Sequence, residues 1–167
     1  MLKFKTFIER VNFNNLKHLV LGHYKGLTKV YHGTSNKNFA GIQSMGVIHP
    51  TVAPNNTAQS EDFVYLCSNK NFSKRWIHSL SARGKLITIP FEKIDKSKLL
   101  PDVLLIRLYS TERVAYNNEP VIFLQYKKEI PISDFESVED VIYPNRNISG
   151  FPNVYPIRLN HREFVAS

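Results

Sequence analysis

Disulfide bonds within the chain are excluded, because Cys67 is the only cysteine among its 167 residues. No stretch approaches the roughly 18 consecutive apolar residues that a membrane-spanning helix needs. Charged and amide residues interrupt the apolar stretches near the N-terminus, so no secretory signal is recognised. No His/Cys spacing suggests zinc, and we expect no metal. These absences favour a cytoplasmic protein, either resident or delivered into a host cytoplasm, without a membrane partner.

Acidic residues are scarce as well, with 14 Asp and Glu against 22 Lys and Arg, which gives a net charge of +8. Residues 1–40 and 69–98 together carry +12, and the remainder of the chain carries −4. A basic face of this kind can attract nucleic acid or the pyrophosphate of a dinucleotide. The alternative is an ordinary solvated basic surface, since net charge alone does not define a site.

The length suggests a single domain with a sizeable core. Phe4, Phe7, Ile8 and Val11 recur at helical spacing, so we interpret residues 1–27 as an N-terminal helical appendage. A mixed pattern of short elements begins at Thr28. We therefore predict one domain over residues 28–167.

Two helices are predicted within this domain. Ser35 or the asparagine after it can cap the first, which ends at Gly46, and the second begins at Asn69 or Asn71 and stops near Gly84. Their apolar stripes consist of Phe39, Ile42 and Met45 in the first and of Phe72, Trp76, Ile77 and Leu80 in the second.

Strands outnumber these helices, and residues 49–62 are predicted to form a loop. The predicted strands are Thr28–Tyr31, Phe63–Cys67, Lys85–Phe91, Val103–Tyr109 and Val121–Tyr126, with weaker candidates at Val138–Tyr143 and Val154–Leu159. Because few connections are helical, the pattern favours an α+β fold over a doubly wound sheet.

Three short motifs carry polar groups that suit chemistry. Tyr31-His32-Gly33-Thr34 ends the first strand, Val64-Tyr65-Leu66 lies on a later strand, and Asn118-Glu119-Pro120 opens another. Each has an ordinary structural reading by itself, because a strand Tyr is usually part of a core and a Glu at a strand start is usually solvated.

Taken together, the order of these motifs resembles the ADP-ribosyltransferase family, in particular the clade with a His-Tyr-Glu triad that includes diphtheria toxin and the poly(ADP-ribose) polymerases. The resemblance covers roughly residues 30–135. It implies an ADP-ribosyltransferase-like α+β fold, in which two small, mostly antiparallel sheets with short flanking helices surround an NAD cleft. NAD would be the substrate, and its nicotinamide–ribose bond would be cleaved.

The same resemblance assigns roles to individual residues. His32, Tyr65 and Glu119 would be the catalytic residues. His32, Gly33, Thr34 and Tyr65 would also bind NAD, together with Ser73 and Trp76, which follow Tyr65 by eight and eleven positions as in the family. Tyr116 and Asn117, which precede Glu119, would contact the acceptor.

Physical chemistry agrees with these roles. Two aromatic faces can hold the planar nicotinamide cation by stacking and cation–π attraction, which is worth about 1–2 kcal/mol. A glycine such as Gly33 allows close approach of the backbone to the carboxamide. A carboxylate such as Glu119 can stabilise the positive charge that develops on the ribose.

The chain departs from the family at Trp76, where Tyr is usual, and at Pro120. Asn117 stands where arginine-modifying members have a carboxylate or longer amide, so an arginine acceptor is not expected. Asn can contact a nucleobase edge, and basic residues nearby could bind phosphates. These are Lys70, Lys74, Arg75, Arg83 and Lys85.

We therefore predict a mono-ADP-ribosyltransferase, with a nucleic-acid acceptor slightly favoured over a protein. Its size and charge suit a toxin or phage effector, for which an antitoxin or inhibitor protein is a possible partner. Two alternatives stay open: an NAD glycohydrolase, and a catalytically silent basic domain that binds nucleic acid.

Overall fold

A computed structural model describes residues 26–51, 62–101, 114–117, 119–142 and 155–156. Most of the predicted N-terminal appendage, the middle of the predicted loop, strand Val103–Tyr109 and most of Val154–Leu159 lie outside these residues. The described helices are α1 (Asn36–Met45) and α2 (Lys70–Leu80). The described strands are β1 (Lys29–Ser35), β2 (Val47–Ile48), β3 (Val64–Cys67), β4 (Arg83–Pro90), β5 (Leu99–Pro101), β6 (Val114–Tyr116), β7 (Glu119–Val121), β8 (Phe123–Tyr126), β9 (Ile130–Pro131), β10 (Ser137–Ile142) and β11 (Tyr155–Pro156).

The described part of the chain forms one six-stranded sheet in the order β10-β4-β1-β3-β8-β5. A three-stranded sheet (β11-β6-β7) and the pair β2-β9 accompany it. Neighbouring strands pair in antiparallel fashion throughout. This confirms the α+β class with mostly antiparallel sheets. The main sheet is larger than the two small sheets that were expected.

Local signals in the sequence predict both ends of α1 correctly. The Ser35 hydroxyl accepts a hydrogen bond from Asn38 N at 3.2 Å, which caps the helix. At the other end Gly46 adopts the left-handed conformation, with φ of 76°, that glycine tolerates best. The predicted stripe is correct at Phe39 and Ile42 but wrong at Met45, whose side chain is 56% exposed because it lies beyond the packed part of the helix.

Three predicted boundaries are wrong. Strand β1 runs on to Ser35, because it pairs with β4 over its whole length. Helix α2 ends at Leu80, and Gly84 belongs to β4 instead of stopping the helix. The predicted strand Val121–Tyr126 is interrupted at Ile122, since Ser68 takes both of its backbone hydrogen bonds, N to Ser68 Oγ at 2.8 Å and O from Ser68 N at 3.0 Å.

The larger core lies on the side of the main sheet that α1 covers. It contains Phe39 and Ile42 of the helix and strand residues such as Val30, Ile87 and Leu124. A smaller core lies on the opposite side, where Ile77 of α2 packs with Leu86 and Val141. The alternation of apolar residues along β4 therefore serves two cores, one on each face.

Two glycines let α2 lie directly on the sheet. A Cβ on Gly84 would stand 2.3 Å from the backbone oxygen of Thr34 and 2.4 Å from Ile77 Cγ2. A Cβ on Gly33 would stand 2.8 Å from Ile77 Cγ1 and 3.0 Å from the backbone oxygen of Ser73. The close contact of α2 with β1 and β4 therefore depends on the absence of these two side chains.

Ion pairs join edge strand β10 to its neighbours. Glu139 bridges Lys70 and Lys74, one turn apart on α2, and Asp140 accepts from Lys85 Nζ at 2.6 Å. The hydrogen bond from Lys70 lowers the pKa of the Glu139 carboxyl, with Lys74 adding to the effect.

In the part of the chain that the structure describes, no helix has the length and apolarity to cross a membrane.

Gly84 and Gly41 lie in different environments, and alanine should have opposite effects on stability at these two positions. Gly84→Ala should destabilise the fold by about 3 kcal/mol, because backbone atoms cannot move away from the new methyl group. Gly41→Ala is the matched control: the position is in α1 with open space around it, and alanine should stabilise the helix by about 1 kcal/mol. Urea unfolding measures both; equal effects would contradict the close packing of α2.

Candidate functional site

His32 is fixed by a hydrogen bond from its Nδ1 to the backbone oxygen of Tyr65, at 2.9 Å. Because a carbonyl oxygen can only accept, Nδ1 carries the proton. Burial lowers the pKa of the imidazole below its usual range, and the hydrogen bond to Tyr65 opposes this only in part. The ring is therefore neutral near pH 7, and its Nε2 offers a lone pair as an acceptor.

This hydrogen bond forms where β1 and β3 no longer pair regularly. The Cα pair that joins these strands in the described structure is Tyr31 opposite Cys67. Beyond that pair the His32 side chain, instead of the β1 backbone, reaches the Tyr65 carbonyl. The predicted His and Tyr are thus brought together by adjacent strands of the main sheet.

The Tyr65 ring is half-buried at the side of β3. Its edge meets the Phe63 ring, with centroids 6.4 Å apart and planes at 71°. On the other side of β3 in the sheet, Tyr65 lies opposite the buried Gln125 of β8. The edge-to-face contact with Phe63 restrains the Tyr65 ring, and Gln125 is the backbone partner of Tyr65 in the sheet.

Glu119 is exposed at the start of β7, and its Oε2 accepts a hydrogen bond from Asn69 Nδ2 at 2.8 Å. Asn69 is 6% exposed and lies between β3 and α2. The carboxylate is therefore held at the junction that follows Tyr65 by only a few residues. A strand start was predicted for Glu119, and the structure confirms that placement.

An aromatic cluster connects α2 with the β6–β7 hairpin. The Phe72 ring meets the edges of Tyr116 and Phe123, with centroids 5.6 Å and 4.8 Å away. Trp76 packs against the same cluster and remains partly buried. Trp76 and Tyr116 thus pack against one apolar cluster beside the hairpin that carries Glu119. Their predicted roles in binding NAD and the acceptor stay predictions.

Ser73 is placed differently from its predicted role in binding nicotinamide. Its side chain is 2% exposed, and its hydroxyl donates to the Asn69 backbone oxygen at 3.0 Å. In this structure Ser73 stabilises the start of α2 and does not face solvent.

Gly33 and Thr34 also have structural roles. Gly33 has no side chain, which leaves room for α2 to pack against β1. Thr34 is 4% exposed. The His-Gly-Thr motif therefore presents one side chain to the candidate site, that of His32, while its other two residues support the packing of the strand.

Asn117 starts the turn between β6 and β7, with Tyr116 paired opposite Glu119. Its φ of 50° lies in the left-handed region, which Asn tolerates better than most residues in a tight hairpin turn. Its side chain is exposed. Asn117 therefore projects from the hairpin beside Glu119, a position compatible with contact to an acceptor.

The proposed phosphate-binding residues are partly neutralised. Lys70 and Lys74 pair with Glu139, and Lys85 pairs with Asp140. Among the described residues, no ion pair is seen for Arg75 and Arg83. The sequence excess of positive charge in residues 69–98 is thus partly balanced across space by β10, which no local pattern indicated.

Asn69 and Ser68 are the residues that sequence reasoning missed. Asn69 was recognised only as a helix start, and a capping Asn gives no sign of a second partner 50 positions later.

No group of His, Cys, Asp and Glu that could hold a metal occurs in the described ranges. An open depression lined by Val47, Pro50, Lys127, Lys128, Glu129 and Pro131 contains none of the predicted site residues.

Cys67 lies close to the site, and its thiol is buried. Its thiol donates to the Asn69 backbone oxygen at 3.6 Å, and burial raises the pKa to about 12. Alkylation near pH 8 should therefore be at least about 100-fold slower in the folded protein than in denaturant, because only a thiolate reacts. Mass spectrometry after iodoacetamide treatment measures the rates, and rapid modification of folded protein would contradict this burial.

Comparison with known proteins gives no relative on which to rest the assignment: no protein-family model, no curated protein and no solved structure matches this chain.

Proposed function

We propose that this protein is a mono-ADP-ribosyltransferase that cleaves NAD at the nicotinamide–ribose bond and transfers ADP-ribose to a macromolecule. The observation that carries the proposal is the position of Glu119. Its exposed carboxylate is anchored by Asn69 to the β3–α2 junction, and the same strand β3 carries Tyr65 and hydrogen-bonds His32.

In the proposed reaction, nicotinamide leaves with the electron pair of its bond to the ribose C1′. The ribose then carries positive charge, which the Glu119 carboxylate stabilises electrostatically. A lone pair of the acceptor forms the new bond at C1′, and the acceptor releases its proton. One glycosidic bond is broken and one is made, so no oxidant or reductant is needed.

His32 and two aromatic residues supply the proposed NAD site. The lone pair on His32 Nε2 suits a donor such as a ribose hydroxyl. Tyr65 and Trp76 offer partly exposed rings to the nicotinamide cation. Ser73 has no part in this proposal, since its hydroxyl is buried and bonded to Asn69.

For the acceptor we retain a slight preference for nucleic acid over protein, on account of exposed Asn117 and of Arg75 and Arg83. Hydrolysis is the second candidate, because the exposure of Glu119 gives water access to the reacting carbon. Incubation of the protein with labelled NAD and a cell lysate distinguishes them. Nuclease releases the label from nucleic acid, protease releases it from protein, and hydrolysis leaves free ADP-ribose.

Replacement of the carboxylate tests the mechanism. Glu119→Gln keeps the shape and an acceptor for Asn69 but removes the charge, so turnover should fall by roughly 10²–10³ with little change in KM for NAD. Release of nicotinamide, followed by chromatography, measures the rate. Glu92→Gln, another exposed glutamate, is the control and should retain full turnover. Near-normal turnover of Glu119→Gln would remove Glu119 from the mechanism.

The state of His32 predicts a pH dependence of NAD binding. Because burial lowers the imidazole pKa, the Nε2 lone pair should be present above about pH 6.5 and binding should be flat there. Below the lowered pKa, protonation removes the acceptor, and Kd should rise toward about tenfold per pH unit. Fluorescence of Trp76, the only tryptophan, reports binding.

Two variants control for other titrating groups. His32→Ala should bind NAD more weakly and lose the acid dependence, whereas His49→Gln should keep it. His49 pairs with Glu129 in a different part of the structure. An unchanged acid limb in His32→Ala would refute the role of His32.

A further inference from the structure

The side chain of Asn69 has two partners at once. Its Oδ1 accepts from Phe72 N at 2.8 Å, which caps α2, and its Nδ2 donates to Glu119 Oε2 at 2.8 Å. The backbone is fixed as well: Asn69 N donates to Cys67 Sγ at 3.3 Å, and its oxygen accepts from the Ser73 hydroxyl at 3.0 Å. Asn69, which makes all of these hydrogen bonds, is 6% exposed.

The cap also determines which way the amide points. A reversed amide would direct its NH₂ group at the N–H of Phe72 and its oxygen at the Glu119 carboxylate, so both contacts would be repulsive. The start of α2 therefore forces Nδ2 toward Glu119. The residue that begins the helix thereby presents a fixed hydrogen-bond donor to the carboxylate.

We propose that Asn69 is the positioning residue of the site: through its capped amide it occupies Oε2 of Glu119 and leaves Oε1 for the substrate. This inference rests on the proposed function for the identity of that substrate, a ribose whose hydroxyl Oε1 would accept. In the described structure Oε1 has no hydrogen-bond partner. Asn69 acts only through Glu119 and does not touch the reacting atoms.

A swap of donor and acceptor tests the contact without reference to activity. Asn69→Asp keeps an oxygen for the Phe72 N–H but turns a carboxylate toward Glu119, so the melting temperature should fall by about 3 °C at pH 8. In Asn69→Asp/Glu119→Gln the new amide can donate to Asp, and the melting temperature should recover to that of Glu119→Gln alone.

Asn71→Asp is the matched control. It places the same charge two residues later in the exposed first turn of α2, where a carboxylate is favourable, so the melting temperature should not fall. If Asn69→Asp and the double variant lose the same number of degrees, the Asn69–Glu119 contact does not exist in solution and the inference is wrong.

A second variant separates positioning from capping. Asn69→Ser retains a good N-cap but cannot reach Glu119, so the melting temperature should stay within about 2 °C of the original. We expect kcat for NAD cleavage to fall about tenfold with KM within about twofold, because the carboxylate matters most in the transition state. A purely structural Asn69 would give an unchanged kcat in this well-folded variant, which would overturn the proposal.

The proposed function and the positioning role of Asn69 are refuted by different results. Absence of NAD cleavage by the unmodified protein would refute the proposed function, whereas the melting-temperature cycle would still report on the contact between Asn69 and Glu119. Normal cleavage by the unmodified protein and by Asn69→Ser would leave the function in place and refute the positioning role.

Discussion

The amide of Asn69 joins the start of a helix to the carboxylate of a separate hairpin, and the candidate site depends on this link. Without it, Glu119 would be one exposed side chain at a strand end, free to sample many rotamers. With it, the carboxylate is tied to the strand that carries Tyr65 and holds His32. Because both partners of the amide are satisfied, a polar side chain can be buried here without the penalty of an unpaired group.

The close packing of α2 makes that link possible. Gly33 and Gly84 allow α2 to pack directly against β1 and β4. The position of the sheet therefore sets the position of the first turn of α2. Cys67 and Ser73 complete the same turn with hydrogen bonds to the Asn69 backbone. Cys67 and Ser73 thus support the scaffold, whereas His32, Tyr65 and Glu119 remain at least partly accessible.

Electrostatics follow the same pattern. Lysines that form a basic run in the sequence meet carboxylates of β10 in space, which reduces the charge available for phosphate. Surface pairs of this kind contribute little stability individually. In the described residues, the cations of α2 and β4 that have no carboxylate partner are then Arg75 and Arg83.

By itself the sequence determined the α+β class, the caps at Ser35 and Gly46, and the strand and helix that carry Tyr65 and Trp76, because these features depend on neighbours a few positions away. The tertiary structure decided the rest. The strand break at Ile122 comes from its hydrogen bonds to Ser68, 54 positions away, and Asn69 bonds Glu119, 50 positions away. The burial of Ser73 and Thr34 depends on elements packed from elsewhere in the chain. No periodicity encodes such contacts, since they arise only when distant strands and helices come together.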